Sequence, residues 1–285
     1  MNRLTPREGV SVEELGASDG RKFFAILDNK RQKRLLLVVG RVNEALLVGR
    51  RDRQIVRFSK REHSPHLSDE IWVSTLAHYR KGENLEGDQC DPMEGRVKLD
   101  ATPFFAGWLP ESGFGHAVSS LSAKAEHGLI CDPWVYCTAF CPYGERDAYG
   151  LGKRISSDND TITNILDVNA FALELGVGFA VTLDPATHLK AVPGLSLIEK
   201  VRAAHSEYKR IVHVDHGPVA YEDVSGTLDT SGQPAGLSSP AGFIKPKSFS
   251  YQAEYRFALQ IIGEPSIATL RIPVSDALRQ CTSLR

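Results

Sequence analysis

From Phe249 to Ile262 the chain reads FSYQAEYRFALQII, and apolar and polar positions alternate along it. In an extended strand, successive side chains point to opposite faces. Tyr251, Tyr255, Phe257, Leu259 and Ile261 then share one face, interrupted only by Ala253. Gln252, Glu254, Arg256 and Gln260 share the other. The first face is apolar enough to lie on a core. The second sets an amide and a carboxylate side by side at the start of the strand, and a long loop leads into it. The plain alternative is a half-exposed strand whose Glu254 pairs with Arg256, because any one-sided sheet needs such alternation.

The same pattern predicts the remaining elements. Phe23–Leu27, Leu35–Val39 and Ala45–Val48 are short apolar runs separated by turn residues, which predicts a three-stranded meander. Residues 1–49 are therefore expected to form a small β-rich unit packed on the core, with 50–285 as the main domain. Gln54–Phe58 reads as a strand in which the adjacent Ile55 and Val56 require two-sided burial or a bulge. Ile71 and Val73 alternate with Trp72 and Ser74 as a strand, followed by a turn of helix into His78 and Tyr79. Trp134–Phe140 is a further strand. Pro142–Lys153 reads as a glycine- and charge-rich loop. Asp160 then caps a helix with Ile162, Leu166, Asn169 and Leu173 on one side, and Gly176 ends it. Gly178–Leu183 reads as an apolar strand, and Ser196 and Glu199 form a capping box for a helix from Leu197 to about Arg210. Ile211–Val214 and Val219–Tyr221 are strands. Asp223–Lys247, rich in Gly, Ser, Thr and Pro, is an uncommonly long loop of a kind that tends to be functional or disordered. The sum is an α+β fold with mixed, mostly antiparallel sheets and flanking helices.

Composition narrows the function classes. The 285 residues are 42% hydrophobic and 24% charged, an ordinary globular profile. No run of about 18 apolar residues exists to span a membrane. The first residues, MNRLTPREGVSVEELG, carry no apolar signal segment. Five cysteines, an odd number, suit a reducing cytoplasm better than a disulfide framework. A formal net charge of -1 means that any basic surface is local. One such run holds Arg50, Arg51, Arg53, Arg57, Lys60 and Arg61. Arg57, anchored beside Phe58 on a strand, suits a bidentate grip on phosphate; a solvated strand edge is the alternative. Pro65 breaks any helix between His63 and His66. Asp88, Asp91 and Glu94 lack the ligand spacing of a calcium loop. Cys131, Cys137 and Cys141 lack the paired spacing of a zinc knuckle, so they read as buried thiols. No metal is expected. His205, His213 and His216 are scattered and read as structural.

Taken in order, Arg57 on a basic strand, Thr138 on the WVYCTAF strand and Gln252-x-Glu254 after a long loop resemble the Arg–Ser/Thr–Glu arrangement of the ADP-ribosyltransferase toxin fold. VRFSKREHSPHLSDEIWVSTLAHYRKGE, GDQCDPMEG, WVYCTAFC and SYQAEYRFAL also look like successive segments of a broad group of bacterial proteins of uncertain function, some encoded near phage-defence and toxin–antitoxin genes. This second resemblance covers most of Arg53–Ile262. The first implies a split-sheet core and a mono-ADP-ribosyltransferase that uses NAD as substrate. Glu254 would hold the ribose and stabilise the oxocarbenium-like state reached as the nicotinamide bond breaks. Arg57 would grip the pyrophosphate or ribose side, Thr138 would orient the carboxylate, and Tyr79 would stack on NAD or lie in the core. Gln252 would face the acceptor, with Phe249 or Tyr251 seating it. A glutamine there goes with acceptors other than arginine, including amides and nucleobases. The strand departs from the family's pattern in reading Cys-Thr-Ala where Ser-Thr-Ser is usual. Expected partners are NAD, a nucleic-acid or protein acceptor, and an antitoxin.

Two other classes fit parts of the sequence. A metal-dependent nuclease would use Asp88, Asp91, Glu94 and Glu254. A non-enzymatic module would bind nucleic acid or a partner through residues 50–61.

Overall fold

The computed structural model describes residues 9–28, 33–48, 53–81, 96–100, 124–128, 132–141, 145–190, 208, 210–223, 225–228, 234–235, 239–261 and 263–285. Arg50 and Arg51, the acidic run through Asp88, Asp91 and Glu94, the Ser196–Glu199 capping box and Cys131 lie outside them.

A meander of β1 (Val10–Ser18), β2 (Arg21–Asp28) and β3 (Lys33–Arg41) opens the chain. Its first turn is the Asp19-Gly20 pair, with φ of 50° and 72°, as a two-residue hairpin loop requires. Ala45–Val48, expected as the third strand, is instead covered by a 3-10 turn over Glu44–Leu47. β3 pairs in parallel with a later strand, and Phe24, Ile26, Leu35 and Leu37 join the same buried cluster as Val212, Val214 and Phe257. The opening unit therefore extends the sheet edgewise and shares its core.

Next come β4 (Gln54–Ser59), β5 (Glu70–Thr75) and α1 (Leu76–Lys81), then β6 (Arg96–Asp100), β7 (Lys124–Gly128) and β8 (Trp134–Cys141). Ile55 and Val56 are both buried, which is the two-sided burial their adjacency demands. α2 (Glu145–Ile155) occupies the stretch that reads as a loop, β9 (Thr161–Ile165) follows, and α3 (Val168–Thr182) and the short α4 (Pro185–His188) come after it. The later elements are β10 (Arg210–Pro218), β11 (Ala220–Tyr221), β12 (Ser225–Leu228), β13 (Pro234–Ala235), β14 (Ile244–Lys245), β15 (Glu254–Ile261), β16 (Thr269–Pro273), α5 (Asp276–Gln280) and β17 (Thr282–Leu284).

The main sheet runs β1-β2-β3-β10-β15-β8-β4-β9-β17, with β5 and β16 branching from β8. Of its pairings only β3–β10 is parallel, so the fold is α+β with a mostly antiparallel sheet. The branch is a fork. On one side of β8, β4 pairs with Ala139–Cys141 while β5 pairs with Trp134 and Val135. Between them the β8 edge at 136–138 faces a gap.

The helix expected from Asp160 to Gly176 is displaced. Thr161–Ile165 is strand, Asp167 caps α3 by accepting from the N–H groups of Asn169 and Ala170, and the helix runs through Gly176 and Gly178 to Thr182. The predicted strand Gly178–Leu183 is thus mostly helix. α3 is buried along most of its length, so its sequence is apolar all round and has no stripe to mark its start or end. Gly176 is needed for close packing: a Cβ there would stand 2.7 Å from Val214 and 2.9 Å from Leu37. Among the described residues, no helix is long and apolar enough to cross a membrane.

Candidate active site

Strand β15 begins at Glu254 and not at Phe249. Lys247–Gln252 is a 3-10 helix, and Ala253, left-handed at φ 45°, joins it to the strand. Gln252 therefore reaches the site from a helical turn rather than as a strand neighbour of Glu254. Tyr255, Phe257, Leu259 and Ile261 lie on the core, as the alternation requires. The opposite face is not half-exposed. Glu254 is 4% exposed and Arg256 1%. The face is roofed by Phe243 and Leu76, which pack with Val135 and Ala258, and by the 3-10 turn of Ala241–Phe243, whose Gly242 carbonyl accepts from Arg256 Nη1.

Under that roof the polar groups must satisfy one another, because a buried charge without partners is costly. Arg256 grips Glu254 Oε1 through Nε at 2.8 Å and Nη2 at 2.7 Å. Lys245, on β14, takes Oε2 at 2.8 Å. Lys245 also donates to Gln252 Oε1 at 3.1 Å. The backbone N–H of Glu254 donates to the Tyr221 hydroxyl at 2.8 Å. Burial by itself would raise the Glu254 carboxyl, but Arg256, Lys245 and the Cys137 thiol outweigh it and hold it well below the ordinary carboxylate range. The Cys137 thiol is pushed up to about 12, first by burial and then by the Glu254 charge. It is neutral at neutral pH and acts as a hydrogen-bonding partner of the carboxylate.

Arg57 approaches from the fork. It donates from Nη1 to the carbonyl of Cys137 on the open edge of β8 and lies 5.0 Å from the centre of the Tyr136 ring. Its Nε is buried without a hydrogen-bond partner. Arg57, Tyr79, Thr138, Gln252 and Glu254 all line one cavity of about 150 Å³, together with Lys245, Arg256 and Cys137. Three cations and one carboxylate face it, so it favours an anionic guest. A wider cavity of about 360 Å³ shares Arg57, Phe58, Tyr79 and Asn159 with the first. The two together reach the size of ordinary small-molecule sites.

The structure separates some residues that the sequence grouped. The Thr138 hydroxyl donates to the Tyr255 carbonyl at 2.7 Å and not to the carboxylate. Thr138 is paired with Tyr255, and Cys137 with Arg256, so alternation puts Cys137 on the Glu254 face and Thr138 on the other. Phe249 and Tyr251 do not line the cavity. Lys245 lies over the Phe249 ring at 5.6 Å, and Arg154 of α2 lies over Tyr251 at 3.9 Å. Tyr79 is half-buried, and desolvation raises its hydroxyl pKa; it packs beside the roof cluster and also lines both cavities. Lys245, Tyr221 and Cys137 carry no sequence signal beyond their residue type. Arg256 was visible only as the plain ion-pair partner of Glu254.

Comparison of the chain with protein-family models, with curated proteins and with solved structures returns no match.

Proposed function

We propose that the protein is an NAD-dependent mono-ADP-ribosyltransferase, of the toxin or phage-defence effector type, acting on nucleic acid or on a protein acceptor other than arginine. The observation that carries this reading is the convergence of Arg57, Gln252 and Glu254 on one cationic cavity, Arg57 from β4, Glu254 from the start of β15 and Gln252 from the 3-10 turn just before it. Glu254, ionised and pinned, is placed to favour positive charge developing on a ribose as its bond to nicotinamide breaks. Its cationic neighbours oppose that effect. A bound diphosphate would draw Lys245 and Arg57 onto its own oxygens and leave the carboxylate charge to act on the ribose. Arg57 Nε, the buried donor without a partner, suits one of those oxygens. Gln252 offers an amide to the acceptor side.

The test is release of nicotinamide from NAD by the wild-type chain, with and without cell extract, compared with Glu254→Asp. This variant keeps the charge and draws it back by one methylene. The expected result is turnover by wild type that is insensitive to chelator and falls by about 100-fold or more in the variant. Neither cleavage nor transfer by wild type, or full activity in Glu254→Asp, would overturn the proposal.

A second reading draws on the same clamp. Both oxygens of Glu254 are engaged by Lys245 and Arg256, which also suits a module that binds a phosphate-bearing ligand without turnover. Salt-sensitive binding with no nicotinamide release would favour it. The nuclease alternative loses its shared ligand, since Glu254 is taken up by those cations, and its other carboxylates lie outside the described residues.

A further inference from the structure

The inner cavity, at about 150 Å³, is small beside ordinary ligand sites, which start at about 300 Å³. The fork adds room only on the Arg57 side, because Lys245, Gln252 and Glu254 line the inner cavity and not the wider one. A guest that reaches Glu254 therefore needs the inner walls to part. We infer that the turn Lys247–Gln252 is a gate on this cavity, hinged at Ala253 and latched by the stacking of Arg154 on Tyr251. The gate stands on the cavity and its walls; its effect on turnover rests on the transferase reading above.

Two elements supply the walls in question. Ile155 ends α2 and lines the cavity, and Gln252 ends the turn and lines it too. Their chain neighbours meet outside it. The Arg154 guanidinium lies 3.9 Å from the centre of the Tyr251 ring, and neither residue lines the cavity. The contact thus ties one wall to the other at the surface, where Arg154 is exposed. An exposed cation–π contact is weak enough to open and close readily. From Tyr251 the connection continues inward. Gln252 Nε2 donates to the Tyr251 hydroxyl at 3.4 Å, and Gln252 Oε1 accepts from Lys245, which also holds Glu254. Freeing Tyr251 therefore loosens the groups that occupy the carboxylate.

Of the two walls, α2 is the fixed one. Ala148 and Ile155 pack with Val56 and Phe58, and a Cβ at Gly152 would stand 2.7 Å from the Phe58 ring. The turn is the movable one, since Lys247, Ser248 and Ser250 are exposed. Its junction with β15 is Ala253, at φ 45° and ψ 45°. That left-handed conformation is disfavoured for a residue with a Cβ, and strain of this kind collects at switch segments. Rotation at Ala253 relieves it. The Ala253 carbonyl accepts from the Phe140 N–H at 2.8 Å, so β15 stays in the sheet while the turn swings.

The test follows the labelling of three thiols of the full chain by N-ethylmaleimide, read by peptide mass spectrometry, in wild type, Arg154→Ala and Tyr251→Leu. Cys137 lines the inner cavity, Cys141 packs with α2, and Cys281 belongs to the main core. The charges that act on the Cys137 thiol are Glu254, Arg256 and Lys245, so its rate in Arg154→Ala reads access. Expected is labelling of Cys137 about two- to fivefold faster in both variants, with Cys141 and Cys281 unchanged. An unchanged Cys137 rate overturns the gate. So does equal acceleration at Cys281, which marks general loosening, or at Cys141, which marks movement of α2. Nicotinamide release is read separately: in Arg154→Ala the KM for NAD should fall while kcat is kept, because more of the chain is open to binding. Faster Cys137 labelling with an unchanged KM keeps the gate and removes its control of NAD entry. Faster labelling with no release from wild type keeps the gate and sinks the transferase reading.

Discussion

Lys245 Nζ stands 2.8 Å from Glu254 Oε2 on a face of β15 that is closed to solvent. Arg256 holds the other oxygen, so the carboxylate is shared between two buried cations. Such a cluster is sensitive to the loss of any one member, because the remaining charges stay buried without compensation.

Glu254→Gln is expected to destabilise the fold by about 3–5 kcal/mol, since it strands two cations. Lys245→Met is expected to cost less, about 1.5–3 kcal/mol, because Arg256 still compensates the carboxylate. Adding Lys245→Met to Glu254→Gln should recover part of the loss. Urea midpoints of the two single variants and the double variant check this. Simple additivity would show that the pair does not interact.

His216 sets the pH response in a different window. Its Nδ1 is 2.7 Å from the Tyr255 hydroxyl, and its ring stacks on Phe257 at 5.7 Å. Burial first, and then the Arg41 charge, lower its pKa from 6.5 to about 4. The folded state thus keeps the imidazole neutral while the unfolded chain takes up a proton below its ordinary value. Stability from this group is fully present above about pH 6.5 and falls as pH drops toward about 4. Glu254, whose pKa is also depressed, contributes stability that is present above 4.5 and lost only further into acid. Denaturant midpoints measured from pH 7.5 downward should decline in two stages. His216→Gln should flatten the upper stage and leave the lower one.

Gly176→Ala tests how tightly α3 lies on the sheet. Alanine favours helix over glycine by up to about 1 kcal/mol, but here its Cβ would come within 2.7 Å of Val214 and 2.9 Å of Leu37. Overpacking of this kind costs about 1–3 kcal/mol, so a net loss in thermal midpoint is expected. A gain would mean that α3 can move off β3 and β10 without cost.

Period-two alternation was enough to find β5 and the core-facing half of β15, because a residue such as Ile71 or Phe257 is committed to one face by the backbone alone; β4 and β8 were legible as short apolar runs. It also singled out Glu254, Gln252 and Arg57, whose polar side chains interrupt that pattern beside a loop or within a basic run. The extent of α3 was not legible, since a helix buried all round has no polar stripe to bound it. Nor was the closed roof over β15: whether the polar face of a strand meets water depends on what the chain lays over it, here Phe243 and Leu76. The meeting of Lys245 with Glu254, the turning of Thr138 toward Tyr255, and the fork that admits Arg57 all depend on which strands become neighbours. Strand order is a property of non-local pairing, and local pattern carries no record of it. The sequence alone thus determined the residue types available for chemistry and the faces they occupy. Only the tertiary structure decided which of them meet, because burial and partnership are set by distant segments closing on one another.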